Sequence, residues 1–183
     1  MKRKVKLRKK YLKLRKNKYF EINDKFFKPF LLYLKKFFKK KSIFLSLYYP
    51  SNYEVNTLKV LNLIKNRKDI TPLLPCVYAN NKMSFHKWNY LDVLKVNKHG
   101  MLEPYANKKP FVPNVILLPL LSYDKNNHRL GYGKGYYDKF LNKYLKKNKN
   151  ILTVGVAFSF QKYDKLPISN HDADARICAR TDD

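Results

Sequence analysis

The stretch Arg129-Leu-Gly-Tyr-Gly-Lys-Gly-Tyr-Tyr-Asp138 has the most unusual spacing in the chain. Only five glycines occur in 183 residues, and three of them stand at alternate positions here: Gly131, Gly133 and Gly135. An apolar run at 111–121 precedes the stretch, and apolar residues recur at helical spacing over 136–147. The segment therefore predicts a buried strand, a glycine-rich loop and a helix in that order, which is typical of α/β folds.

The loop also has the chemistry of a phosphate site. A glycine-rich loop before a helix offers free backbone N–H groups and the positive helix end to an anion. Arg129 and Lys134 add positive charge, and Asp138 adds a hard oxygen ligand suited to Mg²⁺. The loop is not a Walker A sequence, because Gly135 follows Lys134, and its glycine spacing differs from the dinucleotide fingerprint. We interpret it as a phosphate-binding loop of another kind; a tight glycine-rich turn is the alternative.

The rest of the chain alternates predicted helices and strands. Helical spacing and capping residues predict helices at 2–18, 24–40, 54–66 and 136–147. Apolar runs predict strands at 42–49, 71–78, 111–121, 151–158 and 176–179, with short edge strands between 83 and 94. The strand, helix and strand over 42–78 form a parallel βαβ unit, which places ligands beyond the carboxyl ends of its strands. The pattern predicts one domain over 1–183, a three-layer αβα sandwich with a mostly parallel, Rossmann-like sheet.

Composition limits the class of protein. With 45% hydrophobic and 15% aromatic residues, the chain is globular rather than disordered. No apolar run reaches the roughly 20 residues that span a bilayer, and no signal-type apolar segment follows the basic N-terminus. Cys76 and Cys178 lack metal-ligand spacing, so we expect two reduced thiols in a cytoplasmic protein with no membrane contact.

The net charge of +27 is the main argument for a different function. Residues 1–41 hold 18 Lys and Arg against Glu21 and Asp24, a local net charge of 18 − 2 = +16. Such a surface attracts nucleic acid at low salt, so a basic nucleic-acid-binding protein is the alternative hypothesis. However, the basic residues are mostly Lys, and no zinc finger, RNP-type or homeodomain pattern is present. We favour a solvated, compositionally biased surface with no specific nucleic-acid partner.

The glycine-rich stretch resembles the signature of the 5-formyltetrahydrofolate cyclo-ligase family, also called 5,10-methenyltetrahydrofolate synthetases. Further segments fall in the family's order over nearly the whole chain: Lys4-Val-Lys-Leu-Arg8, Ser42–Leu47 followed by Glu54, Leu74-Pro75, Glu103-Pro104, and Leu166-Pro167 followed by His171-Asp172. The family usually has Gly where this chain has Asn127, but Asn is the non-glycine residue that best tolerates a left-handed conformation. A phosphosugar isomerase-like enzyme would explain the sheet but would not need ATP.

The resemblance implies an ATP- and Mg²⁺-dependent ligase that closes 5-formyltetrahydrofolate to 5,10-methenyltetrahydrofolate through a phosphorylated formyl group; we expect a monomer. It implies catalytic roles for Lys134 and Arg129. It implies an ATP site formed by Lys4, Arg8, Arg129, Leu130, Gly131, Tyr132, Gly133, Lys134, Gly135, Tyr136 and Tyr137. It implies a folate site formed by Arg8, Leu45, Glu54, Tyr132, Gly133, Lys134, Gly135 and Tyr136. It implies a Mg²⁺ site formed by Asp138 and Asp172.

Spacing alone favours plainer interpretations for several of these residues. Lys4 and Arg8 are i, i+4 neighbours that would otherwise be solvated charges on a basic helix. Glu54 would be an acidic residue at a helix start, and Asp172 a turn former. Trp88 is either a stacking partner for a pterin ring or a packed core residue, and we favour the core.

The first predicted helix, over 2–18, carries many positive charges that affect how firmly it is held. Its apolar face is predicted to hold Val5, Tyr11 and Leu12, while its many cations repel one another. We therefore expect this helix to be loosely held until a nucleotide binds.

Overall fold

A six-stranded sheet lies at the centre of the computed structural model, which describes residues 2–39, 41–106, 109–145, 150–169 and 177–181. Four α-helices occur in these ranges: α1 (Lys2–Lys18), α2 (Lys28–Phe38), α3 (Val60–Ile64) and α4 (Tyr136–Leu145). The strands are β1 (Ile43–Ser46), β2 (Ile70–Val77), β3 (Met83–Lys87), β4 (Leu94–Val96), β5 (Leu102–Pro104), β6 (Val115–Leu118), β7 (Ser122–Tyr123), β8 (Arg129–Leu130), β9 (Leu152–Phe158) and β10 (Ile177–Thr181).

The sheet is mostly parallel. Its strand order is β10-β9-β6-β1-β2-β3, and only the edge strand β3 pairs antiparallel with its neighbour. The chain leaves β1 toward β2 on one side and later returns to β6 on the other side. A cleft therefore opens beyond the carboxyl ends of β1 and β6, where such reversals place ligand sites. Two small antiparallel pairs, β4–β5 and β7–β8, lie outside the sheet.

Helices cover both faces of the sheet. Val115 and Leu117 of β6 belong to a core shared with α2 and α3, while Ile116 and Leu118 pack with Phe140 and Leu141 of α4. This assignment follows from the two-residue side-chain period of a strand. The result is the expected three-layer α/β architecture.

The first helix packs near the carboxyl edge of the sheet, against the β7–β8 hairpin. Its buried residues, Leu7, Tyr11 and Arg15, recur every four positions. Leu7 and Tyr11 pack with leucines from that hairpin region and from the 160s: Leu121, Leu130 and Leu166. Val5 is instead exposed, so its predicted place on the apolar face was wrong. The expectation that α1 is loosely held until a nucleotide binds considered its charges and missed this buried stripe; it stays a prediction.

Several predicted boundaries needed correction. The predicted helix over 24–40 is divided into a 3₁₀ turn, Asp24–Phe27, capped by Asn23, and α2, which has a proline in its first turn. The predicted helix over 54–66 is reduced to a 3₁₀ turn, Thr57–Lys59, followed by α3. The predicted strand over 111–121 is regular strand only at β6, between Pro113 and Pro119, which cannot donate ladder hydrogen bonds. Phe111 at its start forms an isolated antiparallel bridge with Phe85.

None of the helices in the described ranges is both long and apolar enough to cross a lipid bilayer.

Candidate active site

A cavity of about 230 Å³ lies at the carboxyl edge of the sheet. Its walls come from the segment after β1, the end of β2, Pro119 after β6, the 97–102 turn and the glycine loop. Aromatic and apolar side chains dominate the lining: Tyr48, Tyr49, Pro75, Met83, Met101, Tyr132, Tyr136 and Tyr137. Such a lining suits a flat ring system more than a highly charged ligand.

A second, more open groove lies on the other side of the glycine loop. Its lining includes the cations Lys4 and Arg8 of α1 and Arg129 of β8. It also includes Asp138, together with the 167–169 segment, where Ser169 Oγ accepts a hydrogen bond of 3.3 Å from Lys4 Nζ. The cavity and the groove share Gly131, Gly133 and Gly135, so the loop is a wall between an aromatic and a basic compartment.

The conformation of the loop depends on glycine. Gly133 and Gly135 have φ values of +91° and +70°, in the region that side chains with a Cβ rarely adopt. The Arg8 guanidinium lies directly against Gly133, since a Cβ there would be 2.9 Å from Arg8 Cζ. Arg8 Nε also donates a 2.9 Å hydrogen bond to the Gly131 carbonyl. The turn before the loop survives without glycine, because Asn127 adopts a φ of +64° as expected.

A buried network connects α1, the glycine loop and the segment after β1. Arg15 donates to the Tyr132 hydroxyl, which donates in turn to Glu54 Oε1 at 2.6 Å. Glu54 Oε2 accepts from the Ser51 backbone N–H at 2.8 Å. Burial raises the pKa of Glu54, and the charge of Arg15 with the hydrogen bonds from Tyr132 and Ser51 only partly offsets it. Burial and the nearby Glu54 charge raise the pKa of Tyr132, so its hydroxyl keeps its proton.

Arg129 and Asp138, at the two ends of the glycine-rich stretch, form an ion pair. The Nε of Arg129 and the hydroxyl of Tyr137 are both buried and have no hydrogen-bond partner among the residues that the structure describes. Buried polar atoms are rarely left in this state unless a ligand or water satisfies them. Both residues line the aromatic cavity, so the site offers two unmet hydrogen bonds to a ligand.

Only one of the two residues predicted to bind Mg²⁺ lies within the described residues. Asp138 lies on both the cavity and the groove, and its carboxyl is partly exposed. Asp172 lies outside the described residues, so its prediction stays untested. Within the described ranges, no three His, Cys, Asp or Glu side chains gather closely enough to hold a metal unaided. One carboxylate fits a Mg²⁺ ion that takes its other ligands from phosphates and water.

The structure brings most of the predicted site residues together and moves one away. Lys4, Arg8 and Leu130 line the groove; Glu54, Tyr132, Lys134, Tyr136 and Tyr137 line the cavity; Arg129, Asp138 and the loop glycines line both. Leu45, predicted to line the folate site, instead packs in the main core, because its position on β1 points it toward the helices α2 and α3. Trp88 also packs in that core, as favoured.

Three further residues belong to the site and were not predicted. Arg15 was hidden among the many cations of α1, although its spacing from Leu7 and Tyr11 marks it as buried. His99 lies on the cavity wall and shares a 2.9 Å hydrogen bond with the Tyr136 hydroxyl. Asn52 also lines the cavity, and its carbonyl accepts from Arg15 Nε at 2.8 Å. Spacing in the sequence carries no signal for His99 or Asn52.

Several known proteins are similar to this chain in sequence or in fold. The chain is 34% identical over 117 residues to the 5-formyltetrahydrofolate cyclo-ligase of Mycoplasma genitalium, covering 56% of this chain and 68% of that protein. It is 27% identical over 134 residues to the corresponding protein of Haemophilus influenzae, covering 70% of each. The solution structure of Aquifex aeolicus 5,10-methenyltetrahydrofolate synthetase superposes with a TM-score of 0.72 at 30% identity, covering 97% of this chain and 89% of that one.

A more distant structure shares the same fold. The 5,10-methenyltetrahydrofolate synthetase of Mycoplasma pneumoniae has a TM-score of 0.72 at 24% identity, over 96% of this chain and 97% of that one. The sequence model of the 5-formyltetrahydrofolate cyclo-ligase family matches residues 1–178, which include α1, the glycine loop and all of the described groove. Because the family model matches over that length and the fold is shared, the chain belongs to the 5-formyltetrahydrofolate cyclo-ligase family.

Proposed function

We propose that this chain converts 5-formyltetrahydrofolate to 5,10-methenyltetrahydrofolate in a reaction that consumes ATP and requires Mg²⁺. One observation supports this proposal most directly: a single glycine loop separates an aromatic cavity from a basic groove. An enzyme that transfers a phosphoryl group from ATP to a ring substrate needs these two compartments side by side, so that the reacting atoms meet across the loop.

The folate ring belongs in the aromatic cavity under this proposal. Tyrosine rings supply flat apolar surface, and Glu54 supplies a carboxylate that accepts hydrogen bonds from the N–H groups of a pterin. The unmet hydroxyl of Tyr137 and Nε of Arg129 are additional donors for the polar edge of the ligand. The same names on related proteins support this choice of substrate.

The triphosphate belongs in the basic groove. Arg8, Lys4 and Arg129 contribute positive charge there, and Lys134 lies exposed at the loop with no ion pair or hydrogen bond to any described residue. The first turn of α4 adds backbone N–H groups that can orient a phosphate. Asp138 would hold Mg²⁺, which when bound neutralises charge on the phosphate oxygens.

The chemistry needs positioning more than acid–base catalysis. The formyl oxygen attacks the γ-phosphorus of ATP and ADP leaves, giving a phosphorylated iminium carbon. The 10-nitrogen of the folate then attacks that carbon and loses its proton, and inorganic phosphate leaves with the former formyl oxygen and takes up the proton. Lys134, Arg8 and Arg129 stabilise the charge that develops on the transferred group, and the loop amides fix its orientation.

The direct test is the absorbance of the methenyl product formed from 5-formyltetrahydrofolate. We expect product only when both ATP and Mg²⁺ are present, with one ADP released per product. Glu54→Gln should raise the KM for the folate far more than the KM for ATP, because Glu54 lines only the aromatic cavity. Product formation without ATP, or equal changes in both KM values, would contradict the assignment of the two compartments.

A further inference from the structure

Arg15 is the most deeply buried cation of the described chain, with 1% of its surface exposed. Its guanidinium donates to three oxygens: the Asn52 carbonyl at 2.8 Å, the Leu120 carbonyl at 3.2 Å and the Tyr132 hydroxyl. Within the described ranges it has no direct ion pair with a carboxylate. A buried charge that lacks a direct counter-ion costs several kcal/mol unless other groups compensate it. The Glu54 carboxylate compensates this charge: Arg15 donates to the Tyr132 hydroxyl, and that hydroxyl donates to Glu54.

The hydrogen-bond directions along this path are fixed. Arg15 can only donate, so the Tyr132 oxygen accepts and its proton points to Glu54 Oε1. The second carboxyl oxygen of Glu54 accepts from Ser51 N at 2.8 Å and Ser51 Oγ at 3.3 Å. Both oxygens of Glu54 are therefore held in place before any substrate arrives.

The backbone around Glu54 also depends on Arg15. Asn52 and Tyr53 have φ values of +48° and +61°, and a bulky residue such as Tyr53 rarely adopts this conformation. The bond from Arg15 Nε to the Asn52 carbonyl holds this strained turn, which directs Glu54 inward. The bond to Leu120 connects the same guanidinium to the segment that follows β6.

We propose that Arg15 is a positioning residue for the folate site: acting through Tyr132, it keeps the Glu54 carboxylate charged and oriented toward the cavity. This proposal rests on the proposed function. Four groups face Glu54 from the packed elements: Arg15 from α1, Tyr132 from the loop, Tyr48 after β1 and Tyr137 from α4. Burial raises the pKa of each of the three tyrosines, which leaves Arg15 as the positive member of the group.

The chain permits an unusually clean titration, because it contains only three glutamates, Glu21, Glu54 and Glu103. Selective ¹³C labelling of the glutamate carboxyl carbons gives three signals, and Glu54→Gln identifies the one of interest. We expect Arg15→Met to raise the pKa of Glu54 by about one unit or more, since a nearby opposite charge typically lowers a carboxyl pKa by 1–3 units. Arg15→Lys, which retains the charge, should restore most of the shift.

Two further variants test whether the effect on Glu54 needs Arg15 in particular and whether it needs the bridging hydroxyl. Lys16→Met removes one exposed cation next to Arg15 on the same helix and should leave the Glu54 titration unchanged. Tyr132→Phe removes only the bridging hydroxyl and should also raise the pKa of Glu54, which keeps the test available if Arg15→Met does not fold. An unchanged titration in both Arg15→Met and Tyr132→Phe would overturn the proposal.

Kinetics supply a second readout that a purely structural role would not produce. In Arg15→Met we expect the KM for 5-formyltetrahydrofolate to rise about tenfold near neutral pH and to approach the wild-type value as pH rises and Glu54 ionises. The KM for ATP should change little. Equal changes in both KM values at all pH values would overturn the positioning role. If the wild-type chain forms no methenyl product, the proposed function is wrong. The carboxyl titration still tests whether Arg15 and Tyr132 lower the pKa of Glu54.

Discussion

Gly133 has a φ of +91° and has no Cβ where the Arg8 guanidinium lies against it, while Gly135 has a similar φ of +70° and open space around it. Alanine substitutions at the two glycines therefore distinguish the effect of backbone strain from the effect of losing the contact with Arg8. In both Gly133→Ala and Gly135→Ala, the left-handed backbone should cost about 1–2 kcal/mol of folding stability. Only Gly133→Ala displaces Arg8 as well.

We therefore expect Gly133→Ala to raise the KM for ATP more than Gly135→Ala does, at comparable losses of stability. Equilibrium unfolding in denaturant gives the stabilities, and initial rates over a range of ATP concentrations give the KM values. The same KM for ATP in both variants would mean that the contact between Arg8 and Gly133 has no part in nucleotide binding.

Lys134 is exposed, and nothing in the described structure holds it. Its removal should leave the fold intact and weaken the stabilisation of the transferred phosphoryl group. For Lys134→Ala we expect kcat to fall about a hundredfold, which corresponds to about 3 kcal/mol in the barrier. Lys143→Ala, an exposed lysine near the other end of α4, is the control and should retain wild-type kcat. A single-turnover rate near wild type in Lys134→Ala would remove this residue from the catalytic role.

At the scale of elements, the β7–β8 hairpin depends on one buried carboxylate. Asp124 accepts hydrogen bonds from Asn126 N, His128 N, His128 Nδ1 and Leu166 N at 2.9–3.1 Å. Burial raises the pKa of Asp124, but these hydrogen bonds outweigh it and the pKa is lowered overall. A lowered folded-state pKa stabilises the fold above the ordinary value of 3.8, and this stability is lost as pH falls through the folded-state value.

We expect Asp124→Asn to lower the free energy of unfolding by about 2 kcal/mol at neutral pH, because it weakens charge-assisted hydrogen bonds in a buried position. The difference from wild type should shrink as pH falls below the ordinary carboxyl pKa of 3.8, because Asp124 then binds a proton in the unfolded chain before it does so in the folded protein. Urea unfolding at a series of pH values measures both quantities. A difference that stays constant down to pH 2 would show that the charge of Asp124 contributes nothing.

The turn between β4 and β5 is a second element with a defined task. Asn97 Oδ1 accepts from His99 N and Met101 N, and Asn97 Nδ2 donates to the buried Glu103, so the turn is internally braced. His99 reaches from this turn to Tyr136 at the start of α4, across the aromatic cavity. The hydrogen bond therefore connects the turn to the helix that follows the glycine loop.

We expect His99→Ala to raise the KM for 5-formyltetrahydrofolate several-fold, because loss of about 1 kcal/mol of hydrogen bonding loosens one wall of the cavity. Lys98→Ala, its exposed neighbour, should leave this KM unchanged. Steady-state rates with the folate varied at saturating ATP provide the measurement. If the two variants have the same KM, the contact between His99 and Tyr136 is not part of the substrate site.

At the scale of the whole molecule, the net charge of +27 allows a prediction about binding to nucleic acids. If it is a solvated surface, affinity for RNA or DNA should be weak, independent of sequence and steeply reduced by salt, since counterion release would be the only driving force. Fluorescence anisotropy with several labelled oligonucleotides between 50 and 200 mM salt tests this expectation. Nanomolar, sequence-selective binding at physiological salt would favour the alternative, a nucleic-acid-binding role.

The layer order, the parallel sheet and the position of the glycine loop could all be predicted from the sequence, because strong local patterns encode them. Arg15 and His99 could not, since their roles come from contacts 117 and 37 positions away along the chain. Leu45 was misplaced for a similar reason: the family pattern identifies its strand, while the two-residue period of that strand decides whether a side chain meets the cavity or the core. Local patterns predict elements, and tertiary contacts decide which side chains they present.

The docking of α1 against the β7–β8 hairpin and the loop has a consequence for folding during synthesis. Arg15 emerges from the ribosome 117 residues before Tyr132, an interval of roughly 6–23 s at typical rates of synthesis. During that time the Leu7 and Tyr11 face of the helix has no partner. We expect the surrounding lysines to keep this nascent segment apart from other copies by mutual repulsion, and the site to form only when the strand and loop of the 115–135 region arrive.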